Sequence, residues 1–292
     1  MSRLVVLFST IGVIGIFLFL AYHFQKPTIL ISPFVETPKK DPSGRLKEIV
    51  EKVLNTSDGS YGIVVKHLKT GESYYGNEHK SFESGSLYKI WVLATAFDQI
   101  EKGKLKEDEI LSQDVGILNS EFDIATESAE QTDGTMTYSV KDAMEQMITI
   151  SHNYAALLLS ERLGFSTVEA YLKKHQLLES QLGEPPQTTA LDVALFFEKL
   201  YTGELANKEN TQKMIDLFKR QTINQKLPKY LPEKVTVAHK TGEINTFTHD
   251  AGIVYTKNGD YVVAILSESD IPADAEEKIA QLSKAVYEYF NK

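Results

Sequence analysis

The pattern of apolar and polar positions divides the chain into unlike stretches. Residues 4–22 form a charge-free run of 19 residues dominated by Leu, Val, Ile and Phe, long enough as a helix to cross a hydrocarbon core of about 30 Å. A cleaved secretory signal is the alternative, but such signals have apolar cores of about 7–15 residues and end in small residues. Here the run ends Leu20-Ala21-Tyr22-His23-Phe24, without a small-x-small cleavage site, which favours an uncleaved anchor over 1–26. Residues 27–43 hold Pro33, Pro38 and Pro42 with Lys39-Lys40, the composition of a solvated tether. Residues 44–292 remain for one large domain or two intimately packed subdomains.

Within that domain, helical spacing over 45–54 gives way to a hairpin formed by 61–67 and 72–76 around Lys69-Thr70-Gly71. A helix that is apolar nearly all round follows from Ser86 to about Lys102, with Gly103 as its stop. The middle of the chain is helical. Its start signals are Ser139-x-x-Asp142, Ser166-x-x-Glu169 and Thr189-x-x-Asp192, and its stops are Gly164 and Gly203. Strands return over 235–240, 251–255 and 261–266 before an amphipathic helix over about 273–290. Strands at both ends of the domain, with helices inserted between them, predict an α/β (α+β) fold: one antiparallel sheet covered by terminal helices, plus an all-α lobe. The α/β part would comprise about 44–85 and 235–292, the all-α part about 86–234, and a cleft between them is the natural place for a site.

Composition narrows the function. Thirty-one basic against 40 acidic side chains give a net charge of −9, which argues against a nucleic-acid groove. Zero cysteines remove disulfide frameworks, thiolate zinc sites, thiol nucleophiles and a lipidated cysteine anchor. The seven histidines show no His-x-x-x-His ligand spacing and read as surface or core residues, so no metal is expected.

Three short motifs can carry chemistry. Ser86-Leu87-Tyr88-Lys89 opens the apolar helix and is the single Ser-x-x-Lys in the chain. Residues i and i+3 share a helix face, so the Lys89 amine can reach the Ser86 hydroxyl, a weak nucleophile until a base takes its proton. A lysine on a buried helix is costly as a cation, so its pKa should fall, as a base requires. Ser151-His152-Asn153 lies between two helical runs, where Ser151 would also serve as an ordinary N-cap. Lys240-Thr241-Gly242 ends a strand, where a lysine, a hydroxyl and a glycine can bind a carboxylate and let a ligand approach the backbone. Lys69-Thr70-Gly71 spells the same tripeptide and reads as a hairpin turn.

In this order, at a helix start, an inter-helix loop and a strand end, Ser-x-x-Lys, Ser-x-Asn and Lys-Thr-Gly resemble the penicilloyl-serine transferases, the class A β-lactamases and penicillin-binding D,D-peptidases. The similarity is to class A in particular and runs from about Gly44 to the end. It implies a serine hydrolase acting on cyclic amides: Ser86 attacks an amide carbonyl to give an acyl-enzyme, Lys89 serves as base or relay, and Ser151 passes a proton to the leaving nitrogen. Asn153 would hold the substrate's side-chain amide, Lys240 and Thr241 its carboxylate, with Gly242 beside them. The backbone N–H groups of Ser86 and Glu243 would hold the oxyanion. No cofactor is implied, and the partner is a small-molecule β-lactam or a peptidoglycan peptide met outside the cytoplasmic membrane. Oligomeric state is not legible.

Two departures from the class A pattern stand out. His152 takes the place of an Asp. The Glu-x-x-Leu-Asn loop that supplies the deacylating base is missing between Leu177 and Thr189, leaving Glu179 and Glu184 as candidates. Slow deacylation is therefore expected, with a D,D-carboxypeptidase and a non-catalytic β-lactam sensor as the other readings.

Overall fold

The computed structural model describes residues 44–55 and 58–292, so the expected anchor and tether lie outside the described residues. Among the described residues no helix is long and apolar enough to cross a membrane. In chain order the elements are α1 (Arg45–Leu54), β1 (Ser60–His67), β2 (Ser73–Gly76), β3 (Phe82–Glu83), a 3-10 turn (Gly85–Tyr88) and α2 (Lys89–Glu101). The inserted lobe then supplies β4 (Ile110–Asp114), α3 (Val115–Glu121), β5 (Thr135–Ser139), α4 (Val140–Thr149), α5 (Asn153–Leu163), α6 (Phe165–Lys174), β6 (Gln187–Thr188), α7 (Ala190–Thr202) and α8 (Lys208–Lys219). The chain returns through β7 (Thr236–Ile244), β8 (Phe247–Tyr255), β9 (Tyr261–Glu268) and α9 (Pro272–Phe290).

Five strands form one antiparallel sheet in the order β2-β1-β9-β8-β7. Alternation along β9 shows why it sits in the middle. Val263 and Ile265 pack with Leu46 and Val50 of α1 and with Ile279, Leu282 and Val286 of α9. Val262, Ala264 and Leu266 point the other way, into the core shared with α2 and the inserted lobe. Burying both faces removes the polar alternation expected of a half-solvated strand and leaves a continuous apolar run. Helix α2 is buried from Lys89 through Asp98, as an all-round apolar helix should be.

Several boundaries differ from the expectation. The inserted lobe is not purely helical: β4 pairs with β5, and β6 pairs with β3. Met136 and Tyr138 alternate with Thr135, Thr137 and Ser139, a period-two signal, and the Ser112 and Thr137 hydroxyls meet across the pair at 2.8 Å. Ser139 and Thr189 cap α4 and α7 as predicted. Ser166 does not cap α6, because Gly164, at φ 75°, both ends α5 and opens α6, leaving no connecting residues for a separate cap. Strand β7 runs past Lys240 to Ile244, which pairs with Phe247. Pairing to β8 carries the strand through Thr241-Gly242-Glu243, where no apolar pattern marks it.

Candidate active site

Ser86 sits half-buried in the 3-10 turn that leads into α2. The residues before it are tied down on two sides. Ser84 N–H donates to the Pro186 carbonyl at 2.8 Å. The buried His249 accepts from Ser267 N–H at Nδ1 (3.1 Å), so its proton is on Nε2, which donates to the Glu83 carbonyl at 2.7 Å. Burial pushes the His249 pKa down to about 4, which keeps the ring neutral and this pattern intact at neutral pH.

Two glycines let the turn lie against β7. A Cβ on Gly242 would stand 2.6 Å from the Ser84 carbonyl oxygen, and one on Gly85, whose φ is 47°, 2.8 Å from the backbone nitrogen of Glu243. Real Cβ atoms do not approach that closely, so the peptide units flanking Ser86 and Glu243 touch only because neither glycine carries a side chain.

The three motifs converge on Ser151. Lys89 Nζ donates to the Ser151 carbonyl at 2.6 Å, to Ser151 Oγ at 3.3 Å and to Asn153 Oδ1 at 2.6 Å. Lys240 Nζ donates to the same Ser151 Oγ at 2.9 Å and to the Thr241 carbonyl at 2.8 Å. Both lysines are fully buried. Desolvation holds Lys89 well below the usual lysine range, and the charge of Lys240 pushes the same way, against a smaller opposing pull from Glu130. Lys240 is lowered to about 7 by burial, with Lys226 adding to the effect and Asp250 and Glu243 opposing it. With two amines donating to its oxygen, the Ser151 hydroxyl keeps its own hydrogen for a third partner. Ser151 holds φ 60°, a left-handed conformation that costs a serine on the order of 1 kcal/mol and is common where function fixes the backbone.

Not every expected contact is made. Among the described residues the Ser86 hydroxyl has no hydrogen-bond partner, and Lys89 is aimed at Ser151 and Asn153 instead. Ser151 is not the N-cap of α5. That place belongs to His152, whose Nδ1 accepts from Ala155 N–H at 3.2 Å. Burial lowers the His152 pKa, Lys89 adds to this and Glu130 opposes it, favouring the neutral imidazole that a capping acceptor must be. The histidine in the Asp position therefore serves as the capping acceptor of α5. Thr241 is buried, and its hydroxyl makes no hydrogen bond among the described residues. Lys69-Thr70-Gly71 lies in the β1–β2 turn, with Gly71 at φ 75°.

The two candidate glutamates are placed differently. Glu179 is committed to structure: Oε1 lies 2.7 Å from His79 Nδ1, Oε2 accepts from Thr189 Oγ1 at 2.7 Å, and its N–H donates to Asp192 Oδ2 at 2.8 Å. Glu184 is exposed and makes no hydrogen bond among the described residues, two positions before Pro186, whose carbonyl meets Ser84.

Three site residues escape sequence reasoning. Glu130 accepts from Asn153 Nδ2 at 2.6 Å, but it lies in a polar stretch without periodicity. Lys226 is buried, pairs with the Glu243 carboxylate and lies 3.9 Å from Glu276 Oε2. His249 reads in the sequence only as one of the surface or core histidines.

Residues 45–290 match the model of the β-lactamase enzyme family. A β-lactamase of Bacteroides uniformis is 27% identical over 279 residues, 83% of this chain and 90% of the relative. A solved acyl-enzyme complex of a PBP-A variant with penicillin G superposes with a TM-score of 0.75 at 25% identity, covering 87% of this chain and 98% of that one. The TLA-3 extended-spectrum β-lactamase does so with 0.73 at 22% identity, covering 85% and 99%. A match spanning nearly all of the described residues, together with Ser-x-x-Lys, Ser-x-Asn and Lys-Thr-Gly gathered around one hydroxyl, means that this chain belongs to the β-lactamase enzyme family of serine hydrolases.

Proposed function

We propose that the protein is a class A-type enzyme that acylates Ser86 with β-lactams and releases the product slowly. The observation that carries this reading is Ser151 Oγ accepting from Lys89 and Lys240 at once. In the first step the Ser86 hydroxyl attacks the lactam carbonyl carbon while neutral Lys89 takes its proton, and the oxyanion is met by the N–H groups of Ser86 and Glu243. As the carbon–nitrogen bond breaks, Ser151 gives its proton to the departing nitrogen and recovers one from Lys89. Asn153 holds the acyl side-chain amide. Lys240 and Thr241 hold the carboxylate, with Gly242 leaving room for it. Support for an acyl intermediate comes from the PBP-A complex with penicillin G.

Hydrolysis of the ester requires a water and a base. Glu184 is the better candidate, because Glu179 has both carboxylate oxygens engaged. An aligned carboxylate contributes about 10² to 10⁴ in rate. An exposed one without a fixed partner contributes less, which is why turnover is proposed to be slow. A time course of intact mass on the full-length protein after one dose of benzylpenicillin should show an adduct that outlasts mixing by minutes. Glu184→Gln should lengthen its life by about tenfold. Clearance within seconds, unchanged by that substitution, would reject slow deacylation and the role of Glu184.

The second reading, a D,D-carboxypeptidase acting on peptidoglycan stem peptides, is favoured by the likeness to PBP-A and by Glu184 having no fixed partner among the described residues. A stable adduct with release of D-alanine from a stem peptide would select it; a stable adduct without such release would select a non-catalytic sensor. Either substrate is met outside the cytoplasmic membrane, where residues 4–22 would hold the enzyme. Alkaline carbonate washing should then leave the full-length protein with membranes, and release of a form beginning after Tyr22 would identify a cleaved signal.

A further inference from the structure

The Asn153 amide is held at both ends. A carboxylate oxygen can only accept, so the 2.6 Å contact with Glu130 Oε1 fixes Nδ2 on the glutamate side, and Oδ1 therefore faces Lys89 Nζ, also at 2.6 Å. One of the two amide hydrogens is thus taken by a carboxylate, and the other is left for the acyl amide of a substrate. Two acceptors on the same amide nitrogen stand about 5 Å apart. Glu130 itself is exposed on the segment before β5, and Asn153 is exposed at the start of α5. A substituent one or two bonds beyond the acyl carbonyl would consequently lie beside an anion.

We propose that Glu130 is a specificity-determining residue that selects acyl groups carrying a cation and disfavours those carrying an anion. The inference rests on the reading that Ser86 is acylated and Asn153 binds the acyl amide; it adds the chemical class of the acyl group. Charges of opposite sign at about 5 Å near a protein surface change an equilibrium by about tenfold, and like charges by as much in the opposite direction. Other groups around this position would modulate the effect without supplying it. Lys89 lies on the far side of the Asn153 amide, and His152 is biased toward neutrality by burial.

Three penicillins with one nucleus and different α-substituents provide the test: ampicillin with an α-ammonium, benzylpenicillin with none, and carbenicillin with an α-carboxylate. Second-order acylation rates would be measured on the full-length protein and on Glu130→Gln at pH 6.5, below the range in which an α-amino group loses its proton. Taking the ratio of wild type to variant for each compound cancels its intrinsic reactivity. The ratio should exceed unity for ampicillin and fall below it for carbenicillin, the two differing by about tenfold or more at low salt and converging as salt rises. Equal ratios for all three would overturn the inference, because a residue that only positions Asn153 affects every acyl amide alike. Absence of any adduct with all three would instead reject the acylation reading on which it rests, and the proposal with it.

Discussion

Ser86→Ala should abolish the covalent adduct with benzylpenicillin while the protein stays folded. Two serines belong to the candidate site, and the geometry separates their tasks. Ser151 Oγ already accepts from both amines, so its oxygen lone pairs are occupied and its hydrogen is what it can offer. The Ser86 hydroxyl has no partner among the described residues and sits at the amino end of α2 against the backbone of Glu243, where helix N–H groups favour developing negative charge. Alanine at 86 removes no hydrogen bond made among the described residues, so its thermal midpoint should match that of the wild type. Peptide mapping completes the comparison: Ser151→Ala should still give an adduct at Ser86, formed more slowly because the departing nitrogen has lost its proton donor. An adduct on Ser86→Ala, or one mapped to Ser151 in the wild-type protein, would overturn the assignment of the nucleophile.

Legibility in the sequence followed the range of the interactions concerned. Elements set by local chemistry could be read directly: the caps at Ser139 and Thr189, the stops at Gly164 and Gly203, the turn at Gly71 and the all-round apolar α2. Burial of Lys89 followed from the helix carrying it, and its lowered pKa from burial. What the sequence did not disclose depends on partners far along the chain. Glu130 meets Asn153 across 23 positions, and the His249 contact with Glu83 spans 166. No periodicity encodes such pairs. The extension of β7 through Lys240-Thr241-Gly242 belongs to the same class, since only its register with β8 marks those residues as strand. His152 was legible as a departure but not as a replacement cap, because the acceptor role appears only once Ser151 has taken the left-handed conformation that precedes the helix.

Lys240→Ala should reduce the second-order acylation rate by about ten- to hundredfold, the equivalent of a charge-assisted contact of about 1.5 to 3 kcal/mol with the substrate carboxylate. Lys69→Ala, in the duplicate tripeptide, should change it little. The pH profile carries a sharper prediction. Lys240 must be charged to bind a carboxylate, and burial, the largest influence on it, brings its pKa down to about 7 in the free enzyme. Lys89 must be neutral to accept the Ser86 proton, and its pKa lies well below the lysine range. Second-order rates report the free enzyme, so the fraction able to bind a carboxylate should fall above about pH 7 as Lys240 loses its proton. Stability should move differently: a lysine whose folded pKa is depressed makes the unfolded chain bind more protons between the two values, so this contribution improves as pH rises from about 7 toward the ordinary lysine range. Lys240→Arg separates these effects. A guanidinium stays protonated throughout, so the alkaline fall in acylation should disappear in that variant even if its maximum is lower. An alkaline limb near pH 7 that persists in Lys240→Arg would assign that titration to another group and remove Lys240 as the carboxylate-binding cation.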